Sequence, residues 1–436
     1  MATYLKKATS QTPEQESNVA TTVKKILNDI RNRRETAVKE LAAKFDGWKR
    51  GFILEQEEIE ALIASVPQRA KDDMRFAYDQ VYGFAVKQRE SIQEFETEIS
   101  PGVTLGQRLI PCQCAGCYVP GGRFAHAASA VMSVATAKAA KVPFVVACTP
   151  PRGDSINPTV AYALSLSGAD VIMAMGGVQA ISTLAFGLFT GKPADIVVGP
   201  GNAYVAEAKR ILYGEIGIDV FAGPTESLVI ADQTADPMIV AVDLVSQCEH
   251  GYDSPVWLLT DSKALGDKVI EIMPNVIADL PNPEVAASSW ENYGEVVLCE
   301  DREELARVND EYAAEHVQII AEDLDWYLQN LKNYGSLFLG EGCTVSYGDK
   351  TSGTNHILPT KKAARYSGGL NVGKFIKVLT YQKLTREANR TIGAAASRIS
   401  RYEGMEGHAR AADIRLRKYF PNEQFDFEVY NQKSYA

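Results

Sequence analysis

The chain predicts an α/β fold built from two successive parallel-sheet units, and three observations carry that expectation. Short apolar runs of strand length alternate with amphipathic stretches of helix length from Ala127 onward. Glycine-bearing turns, Gly176-Gly177 and Gly199-Pro200-Gly201-Asn202, join strand to helix within that alternation. The length, 436 residues, suffices for two or more domains with substantial cores.

Taken in order, residues 17–45 read as helix: Val19, Val23, Ile26, Leu27, Ile30, Val38 and Leu41 recur at helical spacing with charges between them. A short helix over 57–66 stops at Pro67, and a longer, charge-rich one covers 68–95. Residues 103–109 suit a strand, and Tyr118-Val119-Pro120-Gly121-Gly122 a turn that lets backbone approach a ligand. The first α/β unit then runs helix 130–141, strand 144–148, helix 159–167, strand 170–175, helix 177–186, strand 195–198, helix 202–212 and strand 228–231. The second runs helix 238–249, strand 256–260, helix 262–273, strand 295–299, helix 302–312, strand 317–320, helix 324–333 and strand 336–339. Residues 340–369, rich in Gly, Thr and Ser, suit loops over a site; 384–403 read as helix, and a charged tail follows from His408.

Composition narrows the function classes. With 46% hydrophobic and 23% charged residues the chain is an ordinary globular protein. A formal charge of -10 argues against a general nucleic-acid binder, because phosphate contacts need a basic surface. No apolar run reaches membrane-spanning length, and residues 1–18 are polar without an apolar signal core, so the expectation is a cytoplasmic protein without a membrane partner. Seven cysteines, an odd number, fit reduced thiols. Cys112, Cys114 and Cys117 lack a matching second pair for a tetrahedral metal set and read as small residues packed before a turn.

Histidine is scarce. Of five, four lie in the second half, each near a carboxylate or carboxamide: Gln247 with His250, Glu315 with His316, Asp349 with His356, and Glu403 with His408. Oxygen and imidazole groups in that pattern suit a hard-to-borderline metal and a proton-transferring base. Gln247 and His250, three apart on an expected helix, leave the same face, as two ligands from one helix must; the pair alone is equally a solvated helix end. Glu315-His316 falls where a helix gives way to a strand, a place for a base or for a plain surface pair. Asp349 and His356 flank a glycine-bearing turn, and His408 near a helix end has a bland reading as a cap cation.

In combination these segments resemble a known family. Gly199-Pro200-Gly201-Asn202, Ala222-Gly223-Pro224-Thr225-Glu226, Ser246-Gln247-Cys248-Glu249-His250-Gly251, Glu315-His316, Gly353-Thr354-Asn355-His356-Ile357-Leu358-Pro359-Thr360 and Glu403-Gly404-Met405-Glu406-Gly407-His408-Ala409 stand in the order and spacing of the zinc- and NAD-dependent histidinol dehydrogenases, from the first long helix to His408. The resemblance implies two Rossmann-like parallel-sheet domains with small helical N- and C-terminal extensions, in an intertwined homodimer whose active site is shared between subunits. It implies residues 1–110 as an N-terminal helical segment plus the start of the second α/β domain. Residues 111–235 become the first, nucleotide-side α/β domain, 236–375 the second with the catalytic loops, and 376–436 a helical tail reaching the partner.

It further implies zinc held by Gln247, His250, Asp349 and His408, with Glu315 and His316 as the catalytic pair. Tyr118, Gln179 and Asn202 match nucleotide-contacting positions, and Thr225, His356 and Glu403 match substrate-pocket positions. The implied reaction is a four-electron oxidation of a primary alcohol through an aldehyde to a carboxylate, with zinc and two NAD. No Gly-x-Gly-x-x-Gly opens a strand–helix unit, so NAD is an implication of the resemblance and not of that fingerprint.

Some segments depart from the biosynthetic pattern. Arg123-Phe124-Ala125-His126-Ala127-Ala128-Ser129 replaces a loop with proline and small hydroxyl residues, Thr225 replaces a serine, and Lys374 stands where an acidic or neutral residue is commoner. Added cationic and donor groups suit an anionic alcohol better than histidinol. The segments are similar to the branch that oxidises (R)-2,3-dihydroxypropane-1-sulfonate to (R)-sulfolactate, the sulfopropanediol 3-dehydrogenases, with Arg123 and His126 expected on the sulfonate. Two alternatives remain at this point: L-histidinol to L-histidine, which the carboxylate of Glu403 favours, and a non-catalytic protein with a structural zinc.

Overall fold

A computed structural model describes residues 2–9, 16–121, 125–221 and 223–427. It divides into two compact units, Met1–Ser91 with Pro111–Phe375, and Ile92–Ile110 with Ile376–Ala436. No helix among the described residues is long and apolar enough to cross a membrane.

The larger unit carries two sheets. The first has five parallel strands in the spatial order Val171–Ala174, Phe144–Thr149, Cys114–Tyr118, Ile196–Val198, Gly217–Ile218. The chain moves outward from Cys114–Tyr118 on one side, then returns to lay Ile196–Val198 on the other. The carboxyl ends of those two neighbours therefore flank a topological switch point. Asn157 and Asn202 start the helices Pro158–Ser167 and Ala203–Leu212 by accepting two amide hydrogen bonds each.

The second sheet has six strands in the order Thr3–Lys6, Glu295–Leu298, Val256–Thr260, Ser227–Ala231, His316–Ile320, Ser336–Leu339; all but Thr3–Lys6 run parallel. Alternation along Ser227–Ala231 sends Leu228 and Ile230 to one face and Val229 and Ala231 to the other. The first pair packs with Leu259, Val317 and Leu305, the second with Leu244, Leu258 and Val269. Full burial of each such aliphatic side chain contributes ~2 kcal/mol, so helices cover both faces.

The α/β class and two parallel sheets follow the sequence reading, and the differences have physical causes. Arg34, at φ 53°, splits the first helix into Glu16–Arg33 and Glu35–Phe45. The helix expected over 68–95 ends at Ser91, and Phe95–Ser100 is a strand. Cys114–Tyr118, expected before a turn, is the central strand; Gly116 and small neighbours admit Leu184 of the helix Gly177–Phe186, which a larger residue would displace. Thr3–Lys6 and the helix Pro283–Tyr293 have no strong periodic signal and went unread. Residues 340–369 include the helix Val345–Lys350. Ser227–Ala231 pairs in the second sheet, so the passage between sheets precedes residue 227 and not 236; an apolar strand carries no mark of which sheet it joins.

In the smaller unit, Phe95–Ser100, Val103–Pro111 and Ile376–Leu384 make a three-stranded sheet. Two helices follow: Asn389–Tyr402 lies within the helix expected over 384–403, and Glu406–Tyr419 stands where a charged tail was expected. They pack through Ala394, Leu416 and Phe420, and Gly393 lets Leu416 approach. Arg401 meets Asp413 at 2.6 Å across them.

Candidate active site

Tyr118 closes the central strand of the five-stranded sheet with its side chain buried. Gly199 follows the neighbouring strand at φ 118°, and a Cβ there would collide with the Tyr118 carbonyl, so only glycine fits. The Tyr118 hydroxyl accepts the Gly177 amide at 3.3 Å. Gln179, in the first turn of the same helix, is buried and donates from Nε2 to Asp46 Oδ2 at 3.0 Å, which also accepts the Gly176 amide at 3.3 Å. Burial raises the Asp46 carboxyl above its usual range. Sequence reasoning passed over Asp46 because it closes a helix 133 positions away from its partner. Asn202 is exposed and its side chain caps its own helix, accepting from Tyr204 and Val205 amides at 3.1 and 3.2 Å. Two helix N-termini at the carboxyl edge of a parallel sheet form a crevice suited to a dinucleotide.

A second group gathers at the amino edge of the six-stranded sheet. His316 opens its strand, and Glu315 immediately precedes it; both are buried. Glu226, just before the adjacent strand Ser227–Ala231, holds both through its backbone. Its amide donates to Glu315 Oε2 at 3.0 Å, and its carbonyl accepts from His316 N at 3.2 Å and from His316 Nδ1 at 3.1 Å. With Nδ1–H so engaged, Nε2 is the nitrogen left to exchange a proton, and it is buried without a hydrogen-bond partner. Glu226 Oε1 accepts the Lys361 amide at 2.7 Å, while Oε2 is buried and unpartnered. Glu226 was not singled out in the sequence as a site residue; the Glu315 and His316 it touches lie 89 and 90 positions on, and no local spacing marks it.

Burial pushes the Glu315 carboxyl up to about 8 and the Glu226 carboxyl up to about 7. For His316, burial pulls downward, but Glu315, Asp349 and the Glu226 carbonyl outweigh it and hold the imidazole near 9. Asp349 is also buried; burial alone would raise its carboxyl, but His316, His356 and Lys350 hold it well below the usual carboxylate range.

Asp349 ties the histidines together. Its Oδ1 lies 3.7 Å from His316 Nε2, its Oδ2 3.9 Å from His250 Nε2, and its backbone carbonyl accepts from His356 Nδ1 at 2.8 Å. His250 stands just past the helix Pro237–Cys248 with its side chain partly open to solvent; desolvation by its surroundings lowers its pKa to about 4, so its ring is neutral at pH 7. Gln247, in the last turn, is buried, and its Oε1 has no hydrogen-bond partner. His356 is occupied at both nitrogens, since Nε2 also meets the buried Ser129 hydroxyl at 2.9 Å. Thr225 is half-buried beside Glu226. Among the described residues, no three His, Cys, Asp or Glu side chains form a metal site by themselves.

The remaining expected positions fall elsewhere. Glu403 and His408 belong to the smaller unit and are exposed, Glu403 closing Asn389–Tyr402 and His408 in the first turn of Glu406–Tyr419. Arg123 lies outside the described residues. His126 precedes the helix Ala127–Ala139, and burial, then His356 and Lys350, lower its pKa, so it can donate a hydrogen bond but is a poor cation near neutrality. Lys374 lines a cavity of about 290 Å³ with Arg210, Asp219 and Tyr366. Cys112, Cys114 and Cys117 are buried, with Cys117 pushed up to about 12 by burial, which suits packing and not metal binding.

Comparison with known proteins fits this geometry. The family model described as histidinol dehydrogenase matches residues 9–416. A sulfopropanediol 3-dehydrogenase of Ruegeria pomeroyi is 56% identical over 97% of this chain and 98% of its own. A histidinol dehydrogenase homolog of Pelagibacter ubique is 54% identical over 96% and 98%. The crystal structure of histidinol dehydrogenase from Elizabethkingia anophelis superposes with a TM-score of 0.88 at 33% identity, covering 94% of each chain. The chain belongs to the histidinol dehydrogenase family, oxidoreductases that act on a CH–OH group with NAD.

Proposed function

We propose that the protein oxidises (R)-2,3-dihydroxypropane-1-sulfonate to (R)-sulfolactate in two NAD-dependent steps, with zinc in the site. The observation that carries the chemistry is the backbone clamp of Glu226 on Glu315 and His316, which fixes a buried base with its free nitrogen, Nε2, pointed away from the clamp. The substrate assignment is supported by the 56% identity to a sulfopropanediol 3-dehydrogenase.

The residues divide the work. In the first step His316 Nε2 takes the hydroxyl proton while hydride passes from the carbinol carbon to the nicotinamide, leaving an aldehyde. Glu315, whose proton affinity lies near neutrality, then takes a proton from the water that adds to the aldehyde. As the water adds, His316 returns its first proton to the aldehyde oxygen, giving the gem-diol. The freed His316 Nε2 then takes a hydroxyl proton from the gem-diol while hydride passes from its carbon to a second NAD, and the carboxylic acid so formed ionises to the carboxylate. Tyr118, Gln179 and Asn202 are assigned to the dinucleotide, and Thr225 and His356 to the substrate wall.

Zinc fits the donors. Gln247 Oε1 is a buried oxygen without a partner, and the His250 nitrogen and an Asp349 oxygen are donors of the type zinc takes. Gln247, His250 and Asp349 would hold it, with His408 of a second subunit completing four. Zinc so held would orient the substrate oxygen and stabilise charge developing on it. The shared site is supported by an exposed apolar stripe, Ile392, Ile399, Tyr402 and Met405, running beside Glu403 toward His408.

The test is steady-state NAD reduction with the sulfonate diol and with histidinol in parallel. A kcat/KM at least about a hundredfold higher on the diol is expected. Preference for histidinol, which the Glu403 carboxylate would serve through an ammonium group, would replace this reading by the biosynthetic one.

A further inference from the structure

Three elements carry the residues assigned to zinc and proton transfer, and one carboxylate joins them. Asp243 lies on the helix Pro237–Cys248, one turn before Gln247. Gln318 follows His316 by two positions on the strand His316–Ile320, so both side chains leave the same face of the sheet. Ile320 shares that face and packs with Val240 and Leu244 of the same helix. Thr344 opens the helix Val345–Lys350, which carries Asp349. Gln318 Nε2 donates to Asp243 Oδ2 at 2.7 Å, and the Thr344 hydroxyl donates to Asp243 Oδ1 at 2.8 Å. Each oxygen of the Asp243 carboxylate thus holds a different element.

The partners are turned toward this carboxylate and away from simpler uses. Thr344 stands at the N-cap position, where a hydroxyl ordinarily accepts an amide of its own helix; it makes no such bond and turns to Asp243 instead. Gln318 is fully buried, its Nε2 also donates to the Cys343 carbonyl at 2.9 Å, and its Oε1 has no partner. An apolar side chain would fill that space without an unpaired oxygen, so packing alone does not account for the glutamine. The contacts continue toward the zinc candidates. The Asp243 carbonyl accepts the Ser246 hydroxyl at 2.7 Å, and the Ser246 oxygen accepts Gln247 Nε2 at 3.2 Å. That leaves Gln247 Oε1, buried and unpartnered, as the atom free to meet an ion.

The helix Val345–Lys350 has only six residues, and a helix so short is placed by what anchors its ends. Its Asp349 carboxylate lies 3.7 Å from His316 Nε2 and 3.9 Å from His250 Nε2.

We infer that Asp243 is a positioning residue of the active site: with Gln318 and Thr344 it sets the spacing between Gln247 and His250, His316, and Asp349. This rests on the functional reading above and adds the device that holds its metal donors and its base in register. Groups behind a metal site act by fixing the direction of the donor atoms, so their loss weakens metal binding with every ligand still present.

The experiment uses the full-length protein and the variants Thr344→Val, Thr344→Ser, Gln318→Leu and Asp243→Ala, with His250→Ala as the ligand control. Each is measured for its zinc dissociation constant by competition with a chromogenic chelator, for kcat and KM for NAD, and for its denaturant midpoint. Thr344→Val and Gln318→Leu, close in volume to the residues they replace, each weaken zinc binding about tenfold and lower kcat by a similar factor. Asp243→Ala weakens zinc binding by up to about a hundredfold. KM for NAD stays within about twofold throughout. Thr344→Ser, which keeps the hydroxyl, stays within about threefold of wild type in zinc affinity and kcat.

Zinc affinity and kcat within about twofold of wild type in Thr344→Val, Gln318→Leu and Asp243→Ala overturn the inference, even where the denaturant midpoint falls, since the contacts would then serve the fold alone. Equal losses in Thr344→Val and Thr344→Ser also overturn it, because the hydroxyl would not be the cause. The two levels fail differently. Zinc lost in His250→Ala but held at wild-type affinity in the other variants removes this inference alone. Undiminished zinc affinity in His250→Ala removes the functional reading and this inference with it.

Discussion

In the five-stranded sheet the candidate residues stand where strands end: Tyr118 closes its strand and Gly199 follows the next. In the six-stranded sheet they stand where strands begin: Glu226 precedes Ser227, and Glu315 precedes His316, the first strand residue. The carboxyl edge offers helix N-termini and glycine turns, which suit phosphate and ribose. At the amino edge, chain enters a strand, and one backbone segment there holds a neighbour's carboxylate and imidazole, as Glu226 does. One sheet is thus equipped for holding a cofactor and the other for moving protons, and the two assignments can be broken separately.

The largest separation comes from His316→Ala. It should lower kcat about a thousandfold or more while the dissociation constant for NAD stays within about twofold. A variant that keeps turnover would remove the base from the amino edge. Next is metal removal: chelation should abolish turnover with far-UV circular dichroism essentially retained, since the fold rests on two apolar cores and not on the ion. Loss of fold on chelation would make the ion structural. Mixing inactive His316→Ala with inactive His408→Ala protein should restore activity if the smaller unit completes a partner's site, because some mixed dimers carry one intact site; no recovery would place both residues in one subunit's site or deny the sharing. At the other edge, Gln179→Ala should raise KM for NAD about tenfold and leave kcat within about threefold. An equal fall in kcat would merge the two edges into one function.

The smallest effect is on stability and depends on pH. Glu226 binds its proton more tightly folded, with a pKa of about 7 against 4.5, so ionisation there destabilises the fold as pH rises through that window. Glu226→Gln, which keeps an acceptor for the Lys361 amide, should be near-neutral at pH 4.5 and more stable by up to ~3 kcal/mol above pH 7. Denaturant midpoints at both pH values measure it; an equal shift at both would show that the charge is not the cause.

Much of the fold was legible because alternation of short apolar runs with amphipathic helices is a direct imprint of helices covering a parallel sheet. Ser336–Leu339 and Arg302–Tyr312 coincide with their expected bounds. Cys114–Tyr118 was not, because the central strand is made of small residues chosen for close helix packing and not for strand propensity. Gln247 and His250 were legible as candidates because they lie in one short segment. Glu226 and Asp46 escaped, because each acts through contacts that only the fold assembles. The structure brings His250, His316, His356 and Asp349 together; it leaves Glu403 and His408 exposed in the smaller unit.

The most direct measurement is the count of NADH formed per molecule of 2,3-dihydroxypropane-1-sulfonate consumed, with the organic product identified. The account predicts two NADH and sulfolactate, with no free aldehyde accumulating. One NADH with release of the aldehyde, or no reduction of NAD by the diol, would contradict it.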